Sequence, residues 1–162
     1  MTEKTVLPES TVSQLERISI EIDLVASFVD LITKRYGSDA AHDLLKEVVN
    51  DAAAKSAALF LIQYPNPTLH DLYEIWKILG GDGRLDIVLD DLTEKSLKFR
   101  VLQCKYAEMY QSKGKETLGI AFSCKRDEPF AKALMPNITV QQSKTIPEGN
   151  AYCAFEYTLE EV

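Results

Sequence analysis

The stretch GGDGRLDIVLDDLTEKSLKFRVLQCKYAEMY, Gly80 to Tyr110, contains the change of period that decides the fold. Before it, apolar residues recur every three or four positions. From Leu85 they recur about every second position, and after Cys104 the helical spacing returns. Leu85 to Leu92 and Ser96 to Gln103 read as two strands around Thr93-Glu94-Lys95, a hairpin by length and composition. Cys104 then stands at the first turn of a helix that ends near Gly114. GGDGR lacks the preceding strand and following helix of a phosphate-binding glycine loop, so it reads as a turn.

Upstream, Leu15, Ile18, Ile22, Val25, Val29 and Ile32 mark a long amphipathic helix, with Ser10 as its expected N-cap and Lys34, Arg35 and Gly37 at its end. A second helix is expected from Ser38 through Leu45 and Val49 to Leu61, stopped by Tyr64-Pro65-Asn66-Pro67. Its middle, DAAAKSAA, suits close helix packing. Thr68 and Asp71 form a capping-box pair that opens a third, shorter helix, which Gly80 and Gly81 terminate.

Downstream, a helix is expected from about Thr117 to Lys125, and Asp127 with Pro129 reads as the cap and first turn of another, finished by Pro136. Ile138 to Ile146 and Ala151 to Leu159 form a second hairpin about Pro147-Glu148-Gly149-Asn150. In its last strand Cys153, Phe155 and Tyr157 share one face, so Cys153 is expected to point at the core. The fold class is therefore α+β. N-terminal helices precede a mostly antiparallel sheet of about four strands in two hairpins, with helices inserted between them. Residues 1–9 read as a flexible tail and 10–162 as one domain, with a helical half (10–80) and an α+β half (84–162).

The 162 residues carry 25 acidic and 18 basic side chains, a net charge of −7 that repels phosphate backbones and argues against nucleic acid. The longest apolar run, Ala57 to Ile62, is far too short to span a membrane. Three cysteines, an odd number, and an N-terminus without a signal-peptide pattern lead to the expectation of a reduced, cytoplasmic protein. The cysteines lie too far apart in sequence for the short paired ligands of structural zinc sites. The two histidines, His42 and His70, sit singly on expected helices. No metal or other cofactor is expected.

Three segments, CKYAE (Cys104 to Glu108), LGIAFSCKRD (Leu118 to Asp127) and SKTIPEGNAYCAF (Ser143 to Phe155), together resemble the L-2-amino-thiazoline-4-carboxylic acid hydrolase family. The glycine turn and Cys-x-Phe strand are also similar to 4-vinyl-reductase-like ligand-binding domains. Asn150 and Ala154 stand where an acid is common in the hydrolases. The resemblance implies ring opening of a small cyclic amidine carboxylate by cysteine-assisted attack of water, on a path to cysteine.

That reaction needs a nucleophile, an acid for the departing nitrogen and a partner for the carboxylate. Cys104 at a helix start, beside Lys105, is expected to have a lowered pKa and act as nucleophile or substrate holder. Its alternative is a buried small hydrophobe. Cys124, next to Lys125 and Arg126, and Asp127 are the other catalytic candidates, the alternatives being core packing and a helix cap. Glu108, one helical turn after Cys104, is a candidate base or merely solvated. Lys144 is the candidate for the carboxylate, or a solvent-facing strand lysine. Thr145 and Cys153 enter as substrate-binding positions through the resemblance. Two other readings stay open, a non-catalytic small-molecule-binding domain and a helical homodimer joined through the N-terminal helices with structural cysteines.

Overall fold

The computed structural model describes residues 12–160. The expected tail at residues 1–9, and Ser10 as a cap, lie outside them. Helix α1 (Gln14–Tyr36) is capped by Ser13, which forms a reciprocal capping box with Glu16. Gly37, at φ +91°, is the single residue between α1 and α2 (Ser38–Gln63). A glycine is needed there because the chain reverses in a left-handed conformation. Ser38 is thus the first helical residue of α2 and supplies no side-chain cap. Thr68 and Asp71 cap α3 (Leu69–Leu79) as the sequence implies.

The sheet follows, with β1 (Leu85–Leu92) and β2 (Ser96–Cys104) as one hairpin and β3 (Ile138–Lys144) and β4 (Cys153–Leu159) as the other. The strand order is β1-β2-β4-β3, antiparallel throughout. Between the hairpins lie α4 (Lys105–Ser112), α5 (Glu116–Phe122), a 3-10 turn at Cys124–Arg126, and α6 (Asp127–Leu134). Cys124 therefore sits on a 3-10 turn after α5 has ended. Asp127 is the first residue of α6, with Arg126 in the cap position and no side-chain cap bond.

One sheet face is core and the other is open. Leu97, Phe99, Val101, Cys153, Phe155 and Tyr157 are buried on the first. Phe99 stacks on Phe155 at 5.0 Å between ring centroids, and Trp76 of α3 closes on both rings. The open face carries ion pairs, Arg100 with Asp90 at 2.7 Å and Lys98 with Glu156 at 2.7 Å. Such exposed pairs add little stability. They keep the face soluble while the aromatic face supplies the burial.

Ala53 and Ala57 of α2 are fully buried, and α2 packs against α6. Their small side chains let the two helices approach. A smaller cluster, Ile18, Ile22 and Tyr110, joins α1 to α4. Gly119 of α5 lies so close to the Tyr110 ring that a Cβ would overlap it. Gly119→Ala should therefore destabilise the protein by about 2 kcal/mol or more, seen as a lower urea midpoint with an unchanged slope.

Candidate functional site

Between the aromatic sheet face and the helices lies a cavity of about 330 Å³, within the usual range for small-molecule sites. Cys104, Cys124, Cys153 and Asp127 all line it. They come from four separate places in the chain: the end of β2, the 3-10 turn, the start of β4 and the start of α6. Phe60, Trp76, Phe130 and Phe155 form apolar wall, and the exposed lining residues Arg17, Leu59 and Ile78 mark the mouth.

Cys104 is the N-cap of α4, and its Sγ accepts a hydrogen bond from the Ala107 amide at 3.4 Å. The thiol, in a position where serine or aspartate is the common cap, thus caps the helix and belongs to a residue lining the cavity. Its pKa is raised, contrary to the expectation from the helix start. Burial is the largest cause, and the Ala107 and Tyr106 amides pull the other way but are outweighed. The Cys153 Sγ accepts from the Ile146 amide at 3.2 Å, yet burial pushes that thiol up to about 11. Cys124 is pushed higher still by burial, then by the charge of Asp127. The three are free thiols, and each is held protonated at neutral pH.

Asp127 is raised to about 8 by burial, with Arg126 opposing. Although the residue keeps some surface exposure, its carboxyl group is enclosed, and the surroundings of the carboxyl set its ionisation. At pH 7 it is mostly a neutral acid able to donate a proton. Nearby, the Trp76 indole N–H and the Tyr157 hydroxyl are enclosed without a hydrogen bond of normal geometry among the described residues. Burial and then Asp127 push the Tyr157 hydroxyl well up, against a smaller pull from the indole.

Other expected residues do not line the cavity. Glu108 is exposed and accepts from Gln103 Nε2 at 2.7 Å. Lys144 lies on the open face, donating to Tyr152 Oη at 3.1 Å. Thr145 is buried in the turn before β4, where its Oγ1 bonds Glu148 at 2.6 Å and its carbonyl accepts from the Asn150 side chain at 3.0 Å. That turn, with Gly149 at φ +90°, brings Ile146 over Cys153. Asn150 and Ala154 also stand outside the lining.

Sequence reading passed over Tyr110, Ser123 and Arg126 as lining residues. The Tyr110 and Ser123 hydroxyls lie 2.5 Å apart. Arg126 reaches back to α2, donating from Nη2 to the Ala52 carbonyl at 3.2 Å and to Ser56 Oγ. The small residues of DAAAKSAA were the available signal, since they leave room for that side chain. Among the described residues, no group of three or more His, Cys, Asp or Glu side chains is placed to hold a metal ion. None of the described helices is long and apolar enough to cross a membrane.

A sequence model of L-2-amino-thiazoline-4-carboxylic acid hydrolases matches residues 17–157. No curated protein matches the chain. Among solved structures, the phenol-responsive sensory domain of the transcription activator PoxR, determined with phenol, is similar with a TM-score of 0.54. Identity is 10%, over 93% of this chain and 76% of that one. An unliganded Fe(II) H-NOX protein from K. algicida reaches a TM-score of 0.33 at 13% identity, over 86% of this chain and 96% of that one.

The raised pKa of Asp127 has a stability consequence of definite sign. The fold favours the protonated form, so its contribution is fully present below the ordinary value of 3.8 and is lost as pH rises through about 8. Melting temperature should decline between pH 5 and 9. Asp127→Asn should flatten that decline and stabilise the protein at pH 9 by on the order of 1–3 kcal/mol, as read from denaturation curves at each pH.

Proposed function

The chain belongs to the L-2-amino-thiazoline-4-carboxylic acid hydrolase family, and on that premise we propose that it opens a small cyclic amidine carboxylate with water in the thiol-lined cavity. The observation that carries this reading is the convergence of Cys104, Cys124, Cys153 and Asp127 on one hollow. Cys104 is the proposed nucleophile, because it lines the cavity and its sulfur is oriented by the Ala107 amide.

The raised thiol pKa shapes the proposed mechanism. A resting thiolate is not needed, since an amidine is itself a base. The Cys104 thiol adds to the carbon between nitrogen and sulfur, forming an S–C bond, and its proton passes to the ring nitrogen. The C–N ring bond then breaks as protonated Asp127 gives its proton to the departing nitrogen, which leaves as an amine. Water attacks the same carbon, with Asp127 taking a proton back, and Cys104 departs as a thiol. The product is a thiocarbamate that keeps the original ring sulfur, and the net change is addition of one water.

A second reading, small-molecule binding without turnover, is favoured by the aromatic walls and the three protonated thiols. The fold it shares with the phenol-responsive sensory domain is compatible with either reading. Incubation with the thiazoline acid, following loss of the ring by absorbance, separates them: turnover supports hydrolysis, whereas saturable binding without ring loss supports the second. Cys104→Ser should lower kcat/KM by roughly 10²-fold or more. Its stability should change by less than about 1 kcal/mol, because a serine oxygen also accepts the Ala107 amide. Activity lost only in proportion to lost stability would return Cys104 to a packing role. The proposed acid gives kcat/KM an alkaline limb near pH 8.

The assembly proposed is a homodimer through the N-terminal helices. Ile20, Leu24, Phe28 and Leu31 form an exposed stripe on α1, and Leu44 and Val48 are exposed on α2. A two-fold axis would let this patch cover its own copy. Sedimentation should give twice the chain mass, and Leu24→Glu with Phe28→Glu should return it to one; a monomeric wild type would refute the dimer.

A further inference from the structure

Among the described residues, the cation that lines the cavity, Arg126, forms no direct ion pair, and the opposing charges of Asp127 and Glu21 act on it only at longer range. Arg126 is half-buried, and its Nη2 is engaged by two neutral acceptors, the Ala52 carbonyl and Ser56 Oγ. Its Nε and Nη1 have no partner among the described residues, and no carboxylate of those residues, Asp127 included, lies within ion-pair distance. Guanidinium hydrogens of a half-buried arginine that lines an apolar hollow are costly to leave unpaired. They match a carboxylate in charge and geometry.

The competing cations are committed elsewhere. Lys144 lies on the open sheet face, with its Nζ 5.0 Å from the centre of the Tyr152 ring and bonded to that hydroxyl. Arg17, at the mouth, is exposed and pairs with Glu21 at 3.6 Å. Arg126 also adjoins Asp127 in sequence, so a group bound to one reaches the surroundings of the other.

We infer that Arg126 is the specificity-determining residue of this cavity, taking the carboxylate of its ligand on the guanidinium hydrogens that the protein leaves unpaired. This rests on the hydrolase reading for the identity of the ring but not for the charge of the ligand. A neutral molecule of the same shape would fill the apolar walls and leave the guanidinium unsatisfied. A site with such a group rejects the analogue that lacks its partner.

The test is calorimetric binding of two probes, 2-amino-thiazoline-4-carboxylate and 2-amino-thiazoline without the carboxylate, to the intact chain, wild type and variants. The acid should bind wild type at least ~10²-fold more tightly. Arg126→Gln should abolish that preference and leave the neutral probe's affinity unchanged, Arg126→Lys should recover part of it, and Lys144→Gln should keep it. Equal binding of the two probes by wild type, binding of neither, or a preference that survives Arg126→Gln or disappears in Lys144→Gln overturns the inference. Should Arg126→Gln fail to fold, the wild-type ratio together with Arg126→Lys decides. Tight acid binding without ring opening would sink the hydrolase reading and leave this one standing, whereas ring opening without carboxylate preference does the reverse.

Discussion

The antiparallel pairing of β2 with β4 is the constraint on which the remaining architecture depends. It joins two hairpins separated by the whole run of helices α4 to α6, and it sets Val101 opposite Cys153 and Phe99 opposite Phe155. The stacked rings of Phe99, Phe155 and Tyr157, closed by Trp76, hold that register by burial. Slipping β4 by one residue would turn Cys153 and both aromatics onto the open face and put Ala154 and Glu156 in the core. With the register fixed, the end of β2 delivers Cys104 and the start of β4 delivers Cys153 to the same side of the sheet. The inserted helices then have one place to go, and they carry Cys124 and Asp127 over that end of it.

Enclosure gives the cavity its chemical character. The same burial that shapes it penalises every charge it contains, so the three thiols and the Asp127 carboxyl are all shifted towards their neutral forms. A helix start lowers a thiol pKa only where water or unpaired amides can stabilise the anion. At Cys104 the amides of Tyr106 and Ala107 do act in that direction but lose to desolvation. What results is a hollow lined by proton donors and by one half-buried cation, Arg126.

Hydrophobic period and turn chemistry made the elements legible. The change of period at Leu85, the Thr68–Asp71 capping box and the glycine turn before β4 are all local signals, and each is found within a few residues of its expected place. Ends misread were those where side-chain chemistry can serve two purposes. Asp127 has the composition of a cap, yet it is a first helical residue turned to the cavity, and Cys124 falls on a 3-10 turn because α5 stops at Phe122. Arg126 sat in plain view within CKRD, but its contacts needed the groove that Ala52 and Ser56 leave on α2, seventy or more residues upstream.

From its residues alone, this chain determined an α+β order of helices, hairpin, helices and hairpin, the inward face of β4, and a three-part cysteine pattern tied to a family. Those are consequences of periodicity and short-range capping, which act within a few residues. Tertiary structure decided which of the marked side chains share a cavity, that Glu108, Lys144 and Thr145 stand outside its lining, and that the thiols are neutral. Ionisation and proximity depend on the dielectric and the charges that distant segments bring to a point in space, and these arise only when β2 and β4 have met.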